Sequence, residues 1–412
     1  MPRAGGPDQC HRGAEHVACG PVQLAAARSQ RWRTWGLYAG GMAGPFGGGL
    51  VNPMFPELRA TFGASSGRIG WALTAYYVPF AALLLVSGTL GERLGRRRVV
   101  RLTFATYGLS CLVSAVAPSL AWFLVGRVGQ GVANAFTTPL LLAGLADRTP
   151  AARLGRSVGI YASFQAAGQS LAPFVGGLAA ELNWRWGFVG TAAVAFALIV
   201  AAPDGTPRTA TDAPRLAPLV SARMGLLVTA AFSAAAGFIG LGFLVSLYGR
   251  DHLGLSASGA GLVLVTAGIS GMALGARWGS LVDRRGGRVV GVAAAVSASA
   301  LVAPIGLVGT VWALAALWAT AGAMLALASV ALQSLAAEAV PANRGGGVSA
   351  VLSFRFAGQA LAPVFWLPIY AGSPRAAFGS AALVGLVAAG ALARLGPGAD
   401  RLGPAADRVG RP

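Results

Sequence analysis

Long apolar runs, following one another with only short polar loops between them, are what most restricts the fold open to this chain. A helix that crosses a membrane needs about 20 such residues. The sequence predicts twelve spans, at about 35–56, 69–90, 99–117, 121–146, 156–180, 187–203, 223–248, 257–281, 289–308, 310–336, 347–370 and 376–394. Several are rich in Gly and Pro, which are commoner in membrane helices than in soluble ones. Of the 412 residues, 55% are hydrophobic and only 11% charged. A soluble domain carries roughly 25% charged residues, so this chain has too little polar surface to coat a water-soluble core.

The formal net charge is +19, and every basic residue except the three histidines is arginine. A basic balance can signal nucleic acid. Here the arginines fall between the apolar runs, so membrane topology accounts for them and no nucleic-acid partner is expected. With the N-terminus inside, 24 arginines fall in tails and cytoplasmic loops, five outside and three within spans. That bias follows the positive-inside rule. It predicts a multi-pass protein of the plasma (inner) membrane with both termini cytoplasmic.

Residues 1–34 contain no continuous apolar stretch of the kind a secretory signal requires. They are expected to form a disordered cytoplasmic tail. The proline-rich stretch 204–222 is expected to be a cytoplasmic linker between six-helix bundles at 35–203 and 223–395, with 396–412 a second tail. Three cysteines, Cys10, Cys19 and Cys111, give no disulfide framework. Cys10, His11, His16 and Cys19 lack a standard zinc spacing, and neither metal nor other cofactor is expected. The only partners expected are the lipid bilayer, a small-molecule substrate and a coupling ion, with the chain acting as a monomer.

The two halves are related. Gly88-Thr-Leu-Gly-Glu92-Arg93-Leu-Gly95-Arg96-Arg97-Arg98 recurs in degenerate form 191 residues later as Gly279-Ser-Leu-Val-Asp283-Arg284-Arg285-Gly286. Asp147-Arg-Thr-Pro150 matches Glu338-Ala-Val-Pro341 at the same offset. Ser163-Phe164 and Gly168-Gln169-Ser-Leu171-Ala172-Pro173 match Ser353-Phe354 and Gly358-Gln359-Ala-Leu361-Ala362-Pro363 at offset 190. A parallel duplication of this kind gives two bundles about an axis along the membrane normal, with the substrate site between them near mid-membrane.

With these motifs in place, residues 35–395 resemble the major facilitator superfamily, and in particular its twelve-span drug:proton antiporters. Gly88–Arg98 is similar to the family's loop between spans 2 and 3, with Glu92 where Asp is commoner. Arg127-Val-Gly-Gln130-Gly131 resembles its span-4 motif. Gly159, Gly168, Ala172, Pro173, Gly176 and Gly177 resemble its span-5 antiporter motif, with Ala172 replacing a Gly. The resemblance implies an all-α membrane protein of two pseudo-symmetric six-helix bundles, exporting small amphipathic compounds against protons by alternating access. A metabolite importer of the same fold is an alternative, and so is a sensor or scaffold that no longer transports. No phosphate-binding loop or catalytic cluster points to an enzyme.

Within that frame, Gly88, Glu92, Arg93, Gly95, Arg96, Arg97 and Asp147, with Asp283 and Arg284 of the copy, are expected to act as a cytoplasmic latch. Asp147 is a partner for one of the arginines. Arg127 shares a helical face with Gln130 and Asn134, and a cation within a span faces either a cavity or a partner. The resemblance implies proton coupling for it, while snorkelling is the plain alternative. Glu57, at the outer end of span 1, is the acid nearest the membrane interior and the other coupling candidate. Arg355 replaces Gln165 of the first half and has no neighbouring acid in sequence; it either lines the cavity and favours anionic or zwitterionic cargo or bonds helix carbonyls. Asn52, Tyr161, Gln165, Gln169, Ser353 and Gln359 complete the expected cavity polar set.

Overall fold

The computed structural model describes residues 21–203, 220–340 and 343–396. Fourteen α-helices run through them: α1 Pro21–Gly49, α2 Phe55–Phe62, α3 Ser66–Arg93, α4 Arg96–Ala115, α5 Leu120–Arg148, α6 Ala151–Leu182, α7 Arg185–Leu198, α8 Ala222–Ala234, α9 Gly242–Leu253, α10 Ala257–Arg285, α11 Gly287–Val302, α12 Val311–Ala339, α13 Arg344–Gly372 and α14 Pro374–Ala393. Two spans are broken. A 3₁₀ turn at Asn52–Met54 separates α1 from α2, and a π-helical turn at Ala235–Ile239 precedes the break between α8 and α9. Counting each broken pair as one gives twelve spans in two bundles, as the sequence predicts.

Seven stretches among the described residues are long and apolar enough to cross a membrane by length and composition alone. Three of the others carry arginines that lower a window's hydropathy: Arg96–Arg98 and Arg101 on α4, Arg127 on α5, Arg153 and Arg156 on α6; α7 is apolar but has only 14 residues. Span 1 departs from expectation at its start. Helix α1 begins at Pro21, so residues 21–34, expected as disordered tail, are helical. The segment Leu24–Arg28 is rich in strong helix formers. At 1.5 Å per residue this 29-residue helix is about 43 Å long, beyond a hydrocarbon core of about 30 Å, so its first turns need no apolarity. The expectations for residues 1–20, including Cys10, His11, His16 and Cys19, and for 204–219 and 397–412 lie outside the described residues.

In lipid there is no hydrophobic force between helices, so they associate by close packing over small residues. The span-5 motif does this. A Cβ on Gly168 would stand 2.5 Å from the Met42 carbonyl oxygen, and one on Gly176 2.1 Å from that of Leu50, which fixes α6 against α1. A Cβ on Gly177 would stand 2.3 Å from the Ala257 carbonyl oxygen, across the junction to α10. The fully buried Ala172 packs where the motif has Gly, with its Cβ 3.1 Å from the place a Cβ on Gly49 would take. Between bundles, α3 packs on α13 and α6 on α10.

Gly176→Leu should cost about 2 kcal/mol or more through overpacking, read as a lower melting temperature and a poorer monodisperse yield. Gly159→Leu, whose Cβ meets open space, should leave both unchanged. A Gly176→Leu protein that melts with the parent would refute the packing role.

Candidate functional site

The polar side chains fall into a turn cluster, an interior clasp, a cavity and a seal. In the turn cluster, Gly91 is buried against Leu140, so α3 and α5 approach closely. Gly95 turns the chain at φ +91°, and Gly286 repeats the turn at φ +83° in the second half. A positive φ of this kind strains any residue with a Cβ. Arg96 opens α4 at 2% exposure and donates from Nε to Glu92 and from Nη1 to Asp147, each at 2.6 Å. One buried guanidinium thus ties α3, α4 and α5, and Arg96, one of the expected latch cations, meets Asp147. Arg93, Arg97, Asp283 and Arg284 are exposed. At offset 191 the counterpart of Arg96 is Gly287, and Glu338, the counterpart of Asp147, accepts instead from Ser334. The second half keeps the turn without this cation.

The clasp is built on Arg127, which is wholly buried. Its Nε donates to the Ala72 carbonyl at 3.1 Å, and its Nη1 to the Gly47 carbonyl at 3.0 Å and the Gln130 amide oxygen at 2.6 Å. The guanidinium carbon stands 4.4 Å from the Tyr76 ring centroid, well inside cation–π range. Gln130 in turn donates to the Ser110 carbonyl and to Ser114 Oγ. Tyr76 and Tyr107 donate to the carbonyls of Gly44 and Ala43. The clasp joins α1, α3, α4 and α5 inside the first bundle, and Arg127 is not part of the cavity wall.

The cavity, about 890 Å³, lies between the bundles. Its wall runs from Asn52, Pro173, Gly242 and Leu264 at depth to Gly159, Gly275 and Gln333 toward the face that carries the Gly95 turn. Asn52, Gln169, Arg355 and Gln359 line it, as expected from the sequence. Five other residues of the expected cavity set do not. Gln130 is consumed by the clasp. Asn134 is buried against Gly44, while Tyr161 and Gln165 bond Thr138 on α5. Ser353 is buried off the wall. Tyr161, Gln165 and Ser353 sit on helices that do line the cavity, whereas Gln130 and Asn134 sit on α5, which contributes no wall residue. Unforeseen wall residues include Ser170, Met272, Trp318 and Gln333. The signal for them was the stripe Gly268, Gly271, Gly275 on α10, spaced three and four apart on one face.

The opposite face is sealed by bonds between bundles. Arg250 on α9 grips Glu57 on α2 in a fork, 2.7 Å at each oxygen, and also donates to the Pro53 carbonyl at 2.8 Å. Glu57, expected to sit near the cavity as a coupling group, is therefore engaged in the seal. Glu181 accepts from the Ser258 hydroxyl and N–H, and Thr74 donates to the Ala360 carbonyl at 2.6 Å. Phe55 stacks on Phe243, and Tyr77 and Phe80 meet Phe356. Among the described residues no three His, Cys, Asp or Glu side chains converge as a metal site.

Comparison with known proteins agrees with this geometry. Residues 37–310 match the family model of the Major Facilitator Superfamily. The chain is 31% identical over 178 residues to the puromycin resistance protein pur8 of Streptomyces alboniger, covering 41% of this chain and 35% of that protein. It is 30% identical over 172 residues to a lincomycin resistance protein of Streptomyces lincolnensis, covering 40% and 36%. The matches thus span about a third of the length of these curated relatives. The crystal structure of a D-xylose–proton symporter is similar in fold, with TM-score 0.72 at 16% identity over 89% of this chain and 98% of that one. The twelve-span architecture, the duplicated turn and the family match together establish that this chain belongs to the Major Facilitator Superfamily.

Proposed function

We propose that this protein is a secondary transporter that exports small amphipathic compounds by alternating access. One observation carries the reading: a cavity at mid-membrane depth reaches one face and is closed from the other by bonds between the bundles. From the arginine bias we read the open face as cytoplasmic, which would make this an inward-open state in a plasma membrane with both termini inside. Residues 35–203 and 223–395 would rock against each other, breaking the Glu57–Arg250 fork and closing the turn face. The Glu92–Arg96–Asp147 cluster would then serve as the latch on that face. A latch acts only through its difference in strength between the two states. The span-5 motif and the drug-resistance names of the two Streptomyces relatives favour export over import.

Protons are the counter-ion that the family resemblance implies. Neither carboxylate nor histidine lines the cavity among the described residues, so a proton would bind outside it. Glu57 would be the coupling carboxylate, since its fork to Arg250 must part on opening, and Arg127 would act as a fixed charge in the first bundle.

Two measurements test these points. Everted membrane vesicles should accumulate an exported dye only when the protein is present, and addition of the dye should collapse a preformed proton gradient. Uptake without proton movement would retain export and remove the proton. Second, in a chain whose native cysteines are replaced by alanine, Asn52→Cys reports opening from the sealed face. Glu57→Gln should raise its labelling from that face by an impermeant maleimide about tenfold, the effect of losing one partly buried ion pair. Exchanging the partners, Glu57→Arg with Arg250→Glu, should restore protection. Labelling that ignores both changes would sink the gating role of the fork.

A further inference from the structure

Two guanidinium groups lie deep within the membrane, and they are bonded to different extents. Arg127 has three hydrogen bonds to neutral oxygens and an aromatic face at 4.4 Å, and only its Nη2 has no hydrogen-bond partner. Arg355 lines the cavity, and its buried Nε has no hydrogen-bond partner. Its guanidinium carbon is 5.9 Å from the Phe356 centroid, at the limit of cation–π attraction. It stands eleven residues from the start of α13, about 17 Å at helical rise and so close to mid-bilayer. Snorkelling cannot bring it to an interface from there. Among the described residues the cavity wall contains no other charged side chain.

We infer that the cavity takes amphipathic organic anions, whose acidic head pairs with Arg355 while the apolar body lies along the wall. This rests on the export reading and names its substrate class. A cavity of this size suits a drug-sized molecule. Leu73, Ile239, Leu264, Met272 and Trp318 supply its apolar lining. Gln359, one turn from Arg355 on the same helix face, lines the wall beside it and offers an amide to the same head group. A carboxylate or sulfonate supplies the counter-charge that no side chain of the cavity wall provides among the described residues. A cationic body would instead meet a like charge without a counter-ion. Export then has its own driving force. A monovalent anion leaving an inside-negative cell is favoured by roughly 50-fold in concentration ratio per 100 mV, and no cavity carboxylate is required to bring a proton in.

Two dyes sharing one ring system test the inference: fluorescein, an anion, and rhodamine 123, a cation. The full chain is reconstituted in liposomes at equal pH on both sides, with a potassium diffusion potential set by valinomycin. Binding is followed separately, by quenching of tryptophan fluorescence including that of Trp318 in the wall. The parent protein should bind and move fluorescein at least about tenfold better than rhodamine 123. Its rate should rise when the receiving side is made positive. Arg355→Gln should weaken fluorescein binding by about tenfold or more, as expected for loss of a buried charge partner. Arg355→Lys should keep most of the binding, and unchanged melting of both variants shows that the fold is intact. Rhodamine 123 moved as fast by the parent as by Arg355→Gln, with fluorescein excluded, overturns the anion inference and leaves the transporter reading standing. Fluorescein flux indifferent to voltage, or unchanged in Arg355→Gln, also overturns it. Failure of the parent to bind or move either dye overturns both.

Discussion

A fixed positive charge in hydrocarbon must be answered by something, and the first bundle is organised around one answer. Arg127 cannot be solvated by lipid, so backbone carbonyls of α1 and α3 and the Gln130 amide take the place of water. Those carbonyls are reachable because the helices carry glycine at the points of approach. A Cβ on Gly47 would run into the Tyr107 hydroxyl, and one on Gly131 into the Tyr76 carbonyl. The clasp therefore couples the charge to the packing: the helices are close because the cation needs oxygens, and the oxygens are available because the helices are close. Four spans are bound into one body, which is what a rocking bundle requires. The second bundle has no counterpart of this clasp at the matching place: at offset 191 from Arg127 stands Trp318, which lines the cavity.

The family, the span count and the duplication were legible in the sequence because each rests on local patterns. Apolar length marks a span, and a turn needing positive φ keeps its glycine, as Gly95 and Gly286 do. Asp147 as a partner of the Arg cluster was also readable, since an acid at a span end on an arginine-rich face has cations close by. The cavity wall was only half readable. Helical periodicity gives a face but not which way that face turns, and in a membrane every face is apolar enough to pass. Gln130, Asn134 and Tyr161 looked like a polar lining, yet Gln130 and Tyr161 bond partners inside the bundle and Asn134 is buried there. Met272, Trp318 and Ser170 looked like ordinary packing and line the cavity. The arginine fork on Glu57 was invisible because its two members lie 193 residues apart, in different halves.

The duplication also shows where the halves have been allowed to diverge. Both turns retain their glycines, because backbone geometry tolerates no substitute there. The ion cluster survives in one half only, with Gly287 standing where Arg96 would be. Symmetric architecture thus carries asymmetric chemistry: static polar bonding in the first bundle, a free cation toward the cavity from the second. The broken spans follow the same division, a 3₁₀ turn at Asn52 in one and a π turn near Gln359 in the other, both beside the cavity floor. Such interruptions free backbone groups where the wall must be polar.

The glycine contacts between bundles have a mechanical consequence. Gly177 lies against the backbone of Ala257 and Ser258, and Gly261 against that of Pro173 and Phe174. At these two points backbone meets backbone; elsewhere along the same junction Ser170 packs on Gly268 and Glu181 bonds Ser258. Interdigitated side chains must withdraw and repack before two helices can slide, and each withdrawal adds to the barrier. Smooth surfaces lose their attraction gradually as they part and regain it as they close. The junction between α6 and α10 is in this sense a bearing rather than a zipper. The resistance to opening is concentrated in a few polar bonds such as the Glu57–Arg250 fork, so chemistry at single residues can set the turnover of the whole machine.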